Sequence, residues 1–170
     1  MKKVVLLLSL VALISGCSKS YEAPCTKQVS ADIISALDQT QLQKDIVAID
    51  DYLLSKAIIA IKDPSGLRYV ITVAGDDTRP CLENSVIVKY AGRFFNGKGF
   101  DAAVNPVQFS LGKLILGWQI GFTNFGKGTK ATLYIPSGFG YGINETKNAE
   151  GVTTIPANAN LIFDIQLINF

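Results

Sequence analysis

The segment "LILGWQIGF", residues 114–122, has a different hydrophobic period from the sequence on either side of it. Leu114, Trp118 and Phe122 are four residues apart, so a two-turn helix would place their side chains together on one side. The flanking segments read as strands instead. An antiparallel sheet with one face packed on a single short helix is an α+β arrangement. The sequence therefore predicts an α+β fold with this helix at its centre.

Four segments predict the strands of this sheet. Residues 67–73 and 85–95 are rich in β-branched side chains, and Asn96-Gly97 after the second is typical of a hairpin turn. Residues 130–135 and 161–167 alternate apolar and polar side chains, which indicates strands with one buried face.

Residues 30–60 have the hydrophobic pattern of helices. Apolar side chains recur at the spacing of one helix face, first at Ile33 and Leu37 and then at Ile46, Ile49 and Leu53. Asp38 followed by Gln41 predicts a capping box that opens a second helix. Asp63-Pro64-Ser65-Gly66 predicts the turn that ends this region. We therefore expect a helical extension over residues 30–62 and a main domain over residues 63–170.

The N-terminus has the features of an export signal. Lys2 and Lys3 precede an apolar run at residues 4–14, and Ser15-Gly16 places small residues directly before Cys17. This pattern resembles the lipobox of bacterial lipoproteins, in which Cys17 would be acylated and become the mature N-terminus. An ordinary signal peptide with a chance cysteine is the alternative. The apolar run is well short of the roughly 20 residues of a transmembrane helix.

The lipobox interpretation also predicts the location of the protein in the cell. Residues 1–16 would be the signal peptide and residues 17–29 a polar tether between the lipid and the helices. The protein would then be lipid-anchored in the cell envelope of a bacterium. Ser18 stands where an aspartate retains some lipoproteins at the inner membrane, which favours the outer membrane, facing the periplasm.

Composition excludes several kinds of chemistry. The chain has 16 lysines and arginines and 14 aspartates and glutamates, and loss of Lys2 and Lys3 with the signal would leave 14 of each. Nucleic-acid binding, which depends on clustered positive charge, has no support. The sequence contains no histidine, so histidine-dependent catalysis and histidine-ligated zinc are excluded. We expect no metal and no cofactor.

Two cysteines remain after Cys17. An exported protein can form a disulfide, and a bond between Cys25 and Cys81 would tie the N-terminal extension to the start of the main domain. Two free thiols are the alternative, and the sequence leaves the choice open. No Cys-x-x-Cys pair occurs, so a thiol-redox enzyme is not expected.

The order of several motifs resembles the FKBP-type peptidyl-prolyl cis-trans isomerases. These motifs are "VIVKYAG" (86–92), "NGKGFD" (96–101), "FSLGKLILGW" (109–118), "GTKA" (128–131), "YG" (141–142), "IP" (155–156) and "LIFD" (161–164). The resemblance covers about residues 83–170. It implies a curved antiparallel sheet wrapped around one short helix, and an isomerase domain over residues 63–170 that acts on X-Pro bonds.

The resemblance also implies the residues of a proline pocket. Trp118 matches its floor, Asp101 the acidic residue beside it, and Tyr141 a hydroxyl donor. Ile155 matches the residue whose backbone N–H binds a carbonyl of the substrate or inhibitor. The walls match Tyr90, Phe100, Leu114, Ile115 and Phe163, with Phe109 a nearby aromatic.

The chain departs from the family pattern at several positions. Ala91 stands where threonine is usual, Val107 replaces an aromatic on one pocket wall, and Ala157 follows Ile155-Pro156 where a second proline is common. The loop after Tyr141 is longer than in small members of the family. Its middle, residues 144–154, would overhang the pocket and contact residues flanking the proline.

These patterns together predict a lipid-anchored isomerase whose substrates are proline-containing polypeptides folding in the envelope. The helical extension would be a spacer, a chaperone arm or the interface of a homodimer. One alternative is a polypeptide-binding or chaperone module of the same fold with little or no isomerase activity. Another is a structural component of an envelope assembly.

The lipid anchor is tested by replacing its attachment residue. In cells grown with labelled palmitate, we expect the wild-type chain to carry the label and the Cys17→Ser variant to carry none, because serine offers no thiol for acylation. Label that persists in Cys17→Ser would contradict the anchor. Cys25→Ser is the matched control and should keep the label.

Overall fold

A computed structural model of the chain describes residues 27–170. The predicted signal peptide, Cys17, Cys25 and most of the tether lie outside the described residues. The helices are α1 (Ala31–Ser35), α2 (Gln39–Ser55) and α3 (Leu116–Phe122), and the strands are β1 (Ile61–Lys62), β2 (Arg68–Val73), β3 (Ser85–Arg93), β4 (Gly99–Ser110), β5 (Lys130–Ile135), β6 (Thr146–Lys147), β7 (Thr153–Ile155) and β8 (Leu161–Asn169).

Six of these strands form one antiparallel sheet in the order β1-β2-β5-β8-β3-β4. The four predicted strand segments correspond to β2, β3, β5 and β8, which confirms the α+β fold. β4, which follows the predicted Asn96-Gly97 turn, is a sheet edge. β6 and β7 form a separate two-stranded hairpin.

The central helix α3 packs against the sheet at unusually short range. A Cβ atom on Gly117 would lie 2.6 Å from Ile135 Cγ2, and one on Gly121 would lie 2.9 Å from Leu133 Cδ2. The two glycines are one helical turn apart and face β5, so only a residue without a side chain fits at either position. Trp118 and Phe122 are buried beside them, as predicted.

One predicted member of this helix lies outside it. Leu114 is the C-cap of a 3₁₀ turn, Leu111–Lys113, and lies two residues before α3 begins at Leu116. Its φ and ψ of −85° and 171° are extended, so it does not share the helical alignment with Trp118 and Phe122. It is half-buried against the same core.

The helical extension is docked on the opposite face of the sheet. Successive side chains of a strand point to opposite faces, and Tyr134 and Ile162 point away from α3. Ile49 and Leu53 of α2 pack on these two residues and are buried, which confirms the predicted helix face. Tyr52 of the same helix stacks on Phe95, with ring centroids 4.4 Å apart. The sheet is therefore covered on both faces where Tyr134 and Ile162 lie.

The structure corrects three details of this extension. Ile33 is 52% exposed: α1 ends at Ser35, so Ile33 and Leu37 do not share a helix face, and Ile34 and Leu37 pack against the core instead. The helical pattern predicted to residue 60 ends at Ser55, and Ile61–Lys62 already pairs with β2. The sheet therefore begins at residue 61, before the predicted boundary at residue 63. The predicted turn at residues 63–66 lies within the connection between β1 and β2.

The predicted capping box is only half formed. Asp38 is the N-cap of α2, and its carboxylate accepts a hydrogen bond from Gln41 N at 3.0 Å. The Gln41 side chain does not return to the cap but donates from Nε2 to Asp45 Oδ1 at 2.8 Å.

An ion pair also connects α2 to the sheet. Arg68 donates from Nε to Asp50 Oδ1 at 2.9 Å and from Nη2 to Asp50 Oδ2 at 3.2 Å, while Lys62 Nζ lies 3.0 Å from Oδ2. The Arg68 side chain is 9% exposed. Its hydrogen bonds hold the pKa of Asp50 below the ordinary range, although partial burial of the carboxylate acts in the opposite direction.

Two further features concern the predicted anchor and disulfide. Cys81 is disulfide-bonded, and because Cys25 lies outside the described residues, its pairing with Cys81 stays a prediction. Within residues 27–170, the helices are too short or too polar for any of them to cross a bilayer.

Removing the Asp50 carboxylate should destabilise the protein in a pH-dependent way. A carboxyl with a lowered folded-state pKa stabilises the fold above its unfolded pKa of about 4 and loses this effect as the pH falls through the folded value. We expect Asp50→Asn to lower the free energy of unfolding by about 1–2 kcal/mol near pH 7. The difference from wild type should shrink below pH 4 in urea titrations.

Asp51→Asn is the matched control, because Asp51 is the next residue of the same helix and is exposed. It should change the free energy of unfolding by less than about 0.5 kcal/mol. Equal effects of the two substitutions would contradict the role given to the Asp50–Arg68 pair.

Candidate active site

A small cavity opens between α3 and the strands that carry the predicted pocket residues. Its volume is about 170 Å³, below the roughly 300–1,000 Å³ of pockets for drug-sized ligands. It has room for one small ring or aliphatic side chain. The lining residues are Tyr90, Asp101, Phe109, Leu114, Ile115, Trp118, Tyr141 and Phe163, all of them predicted.

Trp118 forms the floor of the cavity and is held there by other aromatic rings. Its centroid lies 5.1 Å from Tyr90 and 5.2 Å from Phe163, with interplanar angles of 81° and 84°. Phe109 approaches it edge-on at 6.2 Å. Such edge-to-face contacts orient a ring as well as burying it. The indole presents a fixed apolar surface to whatever enters.

The indole N–H of Trp118 has no partner in the described part of the chain. Nε1 is buried and makes no hydrogen bond there, although a buried donor ordinarily finds one. A donor left unpaired costs free energy.

The polar side of the cavity is built by Tyr90 and Asp101, from adjacent strands β3 and β4. Tyr90 Oη donates to Asp101 Oδ2 at 2.8 Å. Burial, together with this hydrogen bond and the Asp101 charge, raises the pKa of Tyr90 to about 12. The Tyr90 hydroxyl therefore stays protonated throughout the physiological pH range and donates its hydrogen bond to Asp101. This bond fixes the carboxylate at the rim.

Tyr141 is the hydroxyl that remains available at the rim. It is half-buried and lines the cavity. Burial and the nearby Asp101 charge raise its pKa above the ordinary value, so the phenol stays protonated and can donate a hydrogen bond to an occupant of the cavity.

Two predicted pocket residues do not line the cavity. Phe100 lies behind the wall, edge-on against Phe163 at 5.4 Å and beside Phe94 at 4.9 Å. Gly92 permits this packing, because a Cβ there would lie within 2.7 Å of Phe100 Cε2. Ile155 is buried in the main core, and its predicted backbone hydrogen bond to a substrate stays a prediction.

The long loop before Ile155 has structure of its own. It begins with a 3₁₀ turn, Ser137–Phe139, and contains the β6–β7 hairpin. The Ser137 carbonyl accepts hydrogen bonds from Gly140 N at 2.9 Å and from Gly142 N at 2.8 Å, on either side of Tyr141. Gly142 has a φ of +60°, a conformation that glycine adopts without strain. Ser137 belongs to no motif, and sequence reasoning did not single it out.

The described residues contain no cluster of three or more histidine, cysteine, aspartate or glutamate side chains placed to hold a metal ion. The chemistry that the cavity itself offers is apolar enclosure, one phenol donor and one fixed carboxylate.

Comparison with known proteins agrees with this geometry. Residues 76–168 match the family model described as FKBP-type peptidyl-prolyl cis-trans isomerase. The chain belongs to the FKBP-type family. The match covers the cavity and α3 but not the helical extension.

Individual relatives support the same assignment. FkpA from Buchnera aphidicola subsp. Schizaphis graminum, a curated FKBP-type peptidyl-prolyl cis-trans isomerase, is 39% identical over 112 residues, which are 64% of this chain and 42% of the relative. The crystal structure of FkpA from Escherichia coli superposes with a TM-score of 0.61 and 31% identity, covering 77% of this chain and 63% of that one. A peptidyl-prolyl cis-trans isomerase from Pseudomonas syringae gives a TM-score of 0.63 and 26% identity, covering 75% of this chain and 93% of that one.

These relatives differ from the chain in length. The chain spans less than half of the curated FkpA proteins that it matches, 42% of the Buchnera protein and 38% of that from Escherichia coli K12.

The origin of the raised Tyr90 pKa can be tested by removing the Asp101 charge. In Asp101→Asn, we expect the Tyr90 pKa to fall below 12 but to stay above 10, because burial, its largest cause, remains. Titration of ¹³C-labelled tyrosine by NMR measures this shift. Tyr134, whose raised pKa does not depend on Asp101, is the internal control. An unchanged Tyr90 pKa would contradict the hydrogen bond.

Proposed function

We propose that the chain catalyses cis-trans isomerisation of X-Pro bonds in polypeptides. The observation that carries this proposal is an aromatic cavity of about 170 Å³ with a protonated phenol and a fixed carboxylate at its rim. The proline ring occupies the cavity above Trp118. The imide bond then lies at the rim, between Tyr141 and Asp101.

Rotation about this bond is slow because resonance gives the C–N bond double-bond character, with a barrier of about 18–20 kcal/mol. Water stabilises the charge-separated planar form. The aromatic walls of Trp118, Phe109 and Phe163 remove that water when the proline ring enters. The twisted imide, which has less charge separation, then loses less by leaving water than the planar one does. Catalysis follows from this difference in binding and needs no nucleophile or base.

The two polar groups assist different atoms. The Tyr141 hydroxyl donates a hydrogen bond to a substrate carbonyl and holds the chain in the twisted geometry. Asp101 fixes Tyr90 and places its charge beside the imide carbonyl carbon, which becomes more electrophilic when conjugation is lost. An acceleration of about 10⁵ requires roughly 7 kcal/mol of differential binding, within reach of ring burial plus these contacts.

The export and anchoring of the protein belong to the same proposal. The lipobox-like sequence before Cys17 supports an acylated N-terminus, and Ser18 supports the outer membrane facing the periplasm. The substrates are then proline-containing polypeptides that fold in the envelope. Fractionation of membranes by density tests this location, and recovery with inner-membrane markers would contradict it.

A homodimer through the helical extension also remains a proposal. It is supported by apolar side chains on the side of α2 turned away from the sheet, where Val47 is 50% and Leu54 is 80% exposed. Sedimentation equilibrium should give a dimer for the wild type and a monomer for Leu54→Lys. A monomeric wild type would contradict the dimer.

A polypeptide-binding module without catalysis is the second candidate, favoured by the loss of an aromatic residue at Val107. Two measurements on one X-Pro peptide separate the candidates. Emission of Trp118, the only tryptophan in the sequence, reports binding, and NMR exchange spectroscopy reports the isomerisation rate. Binding without acceleration by the wild type would favour the binding module.

The catalytic role of Tyr141 predicts a specific loss. Tyr141→Phe removes one hydrogen bond made in the transition state, so we expect kcat/KM to fall about tenfold, which corresponds to ~1.4 kcal/mol. The double variant Tyr141→Phe, Asp101→Val should approach the uncatalysed rate in the same assay.

Tyr134→Phe is the matched control, because it also removes a buried phenol but on the face of the sheet away from the cavity. It should leave kcat/KM unchanged. If wild type and the double variant show the same near-background rate, the enzymatic proposal is wrong.

A further inference from the structure

A buried carboxylate in the helical extension contacts the start of the loop that carries Tyr141. Asp45 of α2 is 3% exposed, and Ser137 is 1% exposed. Asp45 Oδ2 accepts hydrogen bonds from Ser137 N at 2.9 Å and from Ser137 Oγ at 2.5 Å. Its other oxygen accepts from Gln41 Nε2 at 2.8 Å. The carboxylate is thus buried with three donors.

The hydrogen bonds continue from Ser137 to the rim of the cavity. The Ser137 carbonyl accepts from the backbone N–H groups of Gly140 and Gly142, the two neighbours of Tyr141. Asn158 N donates to the Gly142 carbonyl at 2.7 Å. The backbone on both sides of Tyr141 is therefore fixed by one serine, and that serine is fixed by Asp45.

We propose that Asp45 is a positioning residue for Tyr141, so that the helical extension forms part of the active site of this chain. Asp45 lies outside the region that matches the family model, residues 76–168, and its hydrogen-bond partners, Gln41 and Ser137, do not line the cavity. It acts through Ser137 on the placement of the Tyr141 hydroxyl. The proposal rests on the proposed isomerase function.

Attachment of α2 does not by itself explain a carboxylate at this position. The helix is already held to the sheet by Ile49 and Leu53 and by the Asp50–Arg68 pair. Burying a charge is costly, and apolar residues of similar volume often stabilise a fold as well or better. The carboxylate additionally fixes the orientation of Ser137, because one oxygen accepts hydrogen bonds from both its N–H and its hydroxyl. Charge-assisted hydrogen bonds of this kind are short and specific in geometry.

A second contact of Ser137 shows why this orientation matters. Its N–H is shared with Asn160 Oδ1 at 3.0 Å, one residue before β8 begins. Without Asp45, the Ser137 N–H would keep only its hydrogen bond to Asn160, and the 3₁₀ turn could rotate about that bond. Small displacements of a catalytic group reduce rates strongly. The proline ring would still enter, because Trp118 and Phe163 do not depend on Ser137.

The test is a double-mutant cycle in the full chain, with isomerisation measured by NMR exchange and binding by Trp118 emission. Asp45→Ala should lower kcat about tenfold with little change in peptide affinity. In the Tyr141→Phe background, where the hydroxyl is already absent, Asp45→Ala should lower kcat less than twofold. Such non-additivity identifies residues that act through one another.

Three further variants separate positioning from loss of stability. Asp45→Asn keeps one side-chain oxygen that can accept from Ser137, although its amide nitrogen cannot accept from Gln41, and should retain most of the activity. Ser137→Ala removes one of the two bonds and should lower kcat about threefold. Asp51→Ala removes an exposed carboxylate from the same helix and should have no effect. If Asp45→Ala fails to fold, Ser137→Ala in the wild-type and Tyr141→Phe backgrounds carries the test, with Asp45→Asn as the control that keeps activity.

Amide hydrogen exchange gives a readout that does not require activity. The amides of Gly140 and Gly142 should exchange faster in Asp45→Ala, while that of Leu133 in β5 should not change. Equal losses of kcat in the wild-type and Tyr141→Phe backgrounds would overturn the proposal. Unchanged exchange at both glycines in a folded Asp45→Ala protein would overturn it as well. An inactive wild type would refute the isomerase function itself, and the exchange data would then decide whether Asp45 orders the loop.

Discussion

The close contact between α3 and β5 is the constraint on which the rest of the structure depends. Gly117 and Gly121 bring the helix so near the sheet that an added Cβ would overlap Ile135 or Leu133. Trp118 lies between these glycines in sequence. The distance between the helix and the sheet therefore sets how deep the indole lies below the rim of the cavity. Edge-to-face contacts with Tyr90, Phe163 and Phe109 then orient the indole. The lack of a side chain at Gly117 and Gly121 thus determines where the floor of the cavity lies, while the aromatic side chains form its lining.

The same strands carry a second packing layer on their other face. In β5, Leu133 and Ile135 face α3 while Tyr134 between them faces α2. A displacement of β5 would therefore change the packing of both α2 and α3. This arrangement makes the N-terminal extension part of the domain, with its own polar contact to the loop that carries Tyr141. Its roles as a spacer or chaperone arm, expected from the sequence alone, have to be compatible with a helix held against the sheet.

Sequence reasoning succeeded where side-chain period or motif order determines the structure. Alternation in β5 and β8 and the four-residue spacing of Trp118 and Phe122 predicted the sheet and its helix. Motif order placed most of the cavity, but a match by position does not state which way a ring points, and Phe100 lies behind Phe163. A five-residue helix gives too short a period to separate Ile33 from Ile34. The Asp45–Ser137 bond joins residues 92 apart, and neither belongs to a motif.

This long sequence separation also affects when the candidate active site can form during folding. Three of the partners of α2, namely Tyr134, Ser137 and Ile162, lie more than 80 residues after Ile49 and Leu53 in the chain. During synthesis α2 emerges first and must wait for β5 and β8, with its apolar face exposed in the meantime. Contacts of high sequence separation make folding slow, and such exposed surfaces are prone to aggregation. The floor and the rim of the cavity both depend on the last strand, because Phe163 of β8 contacts Trp118 and Asn160, just before β8, binds Ser137. Neither is complete until β8 has joined the sheet.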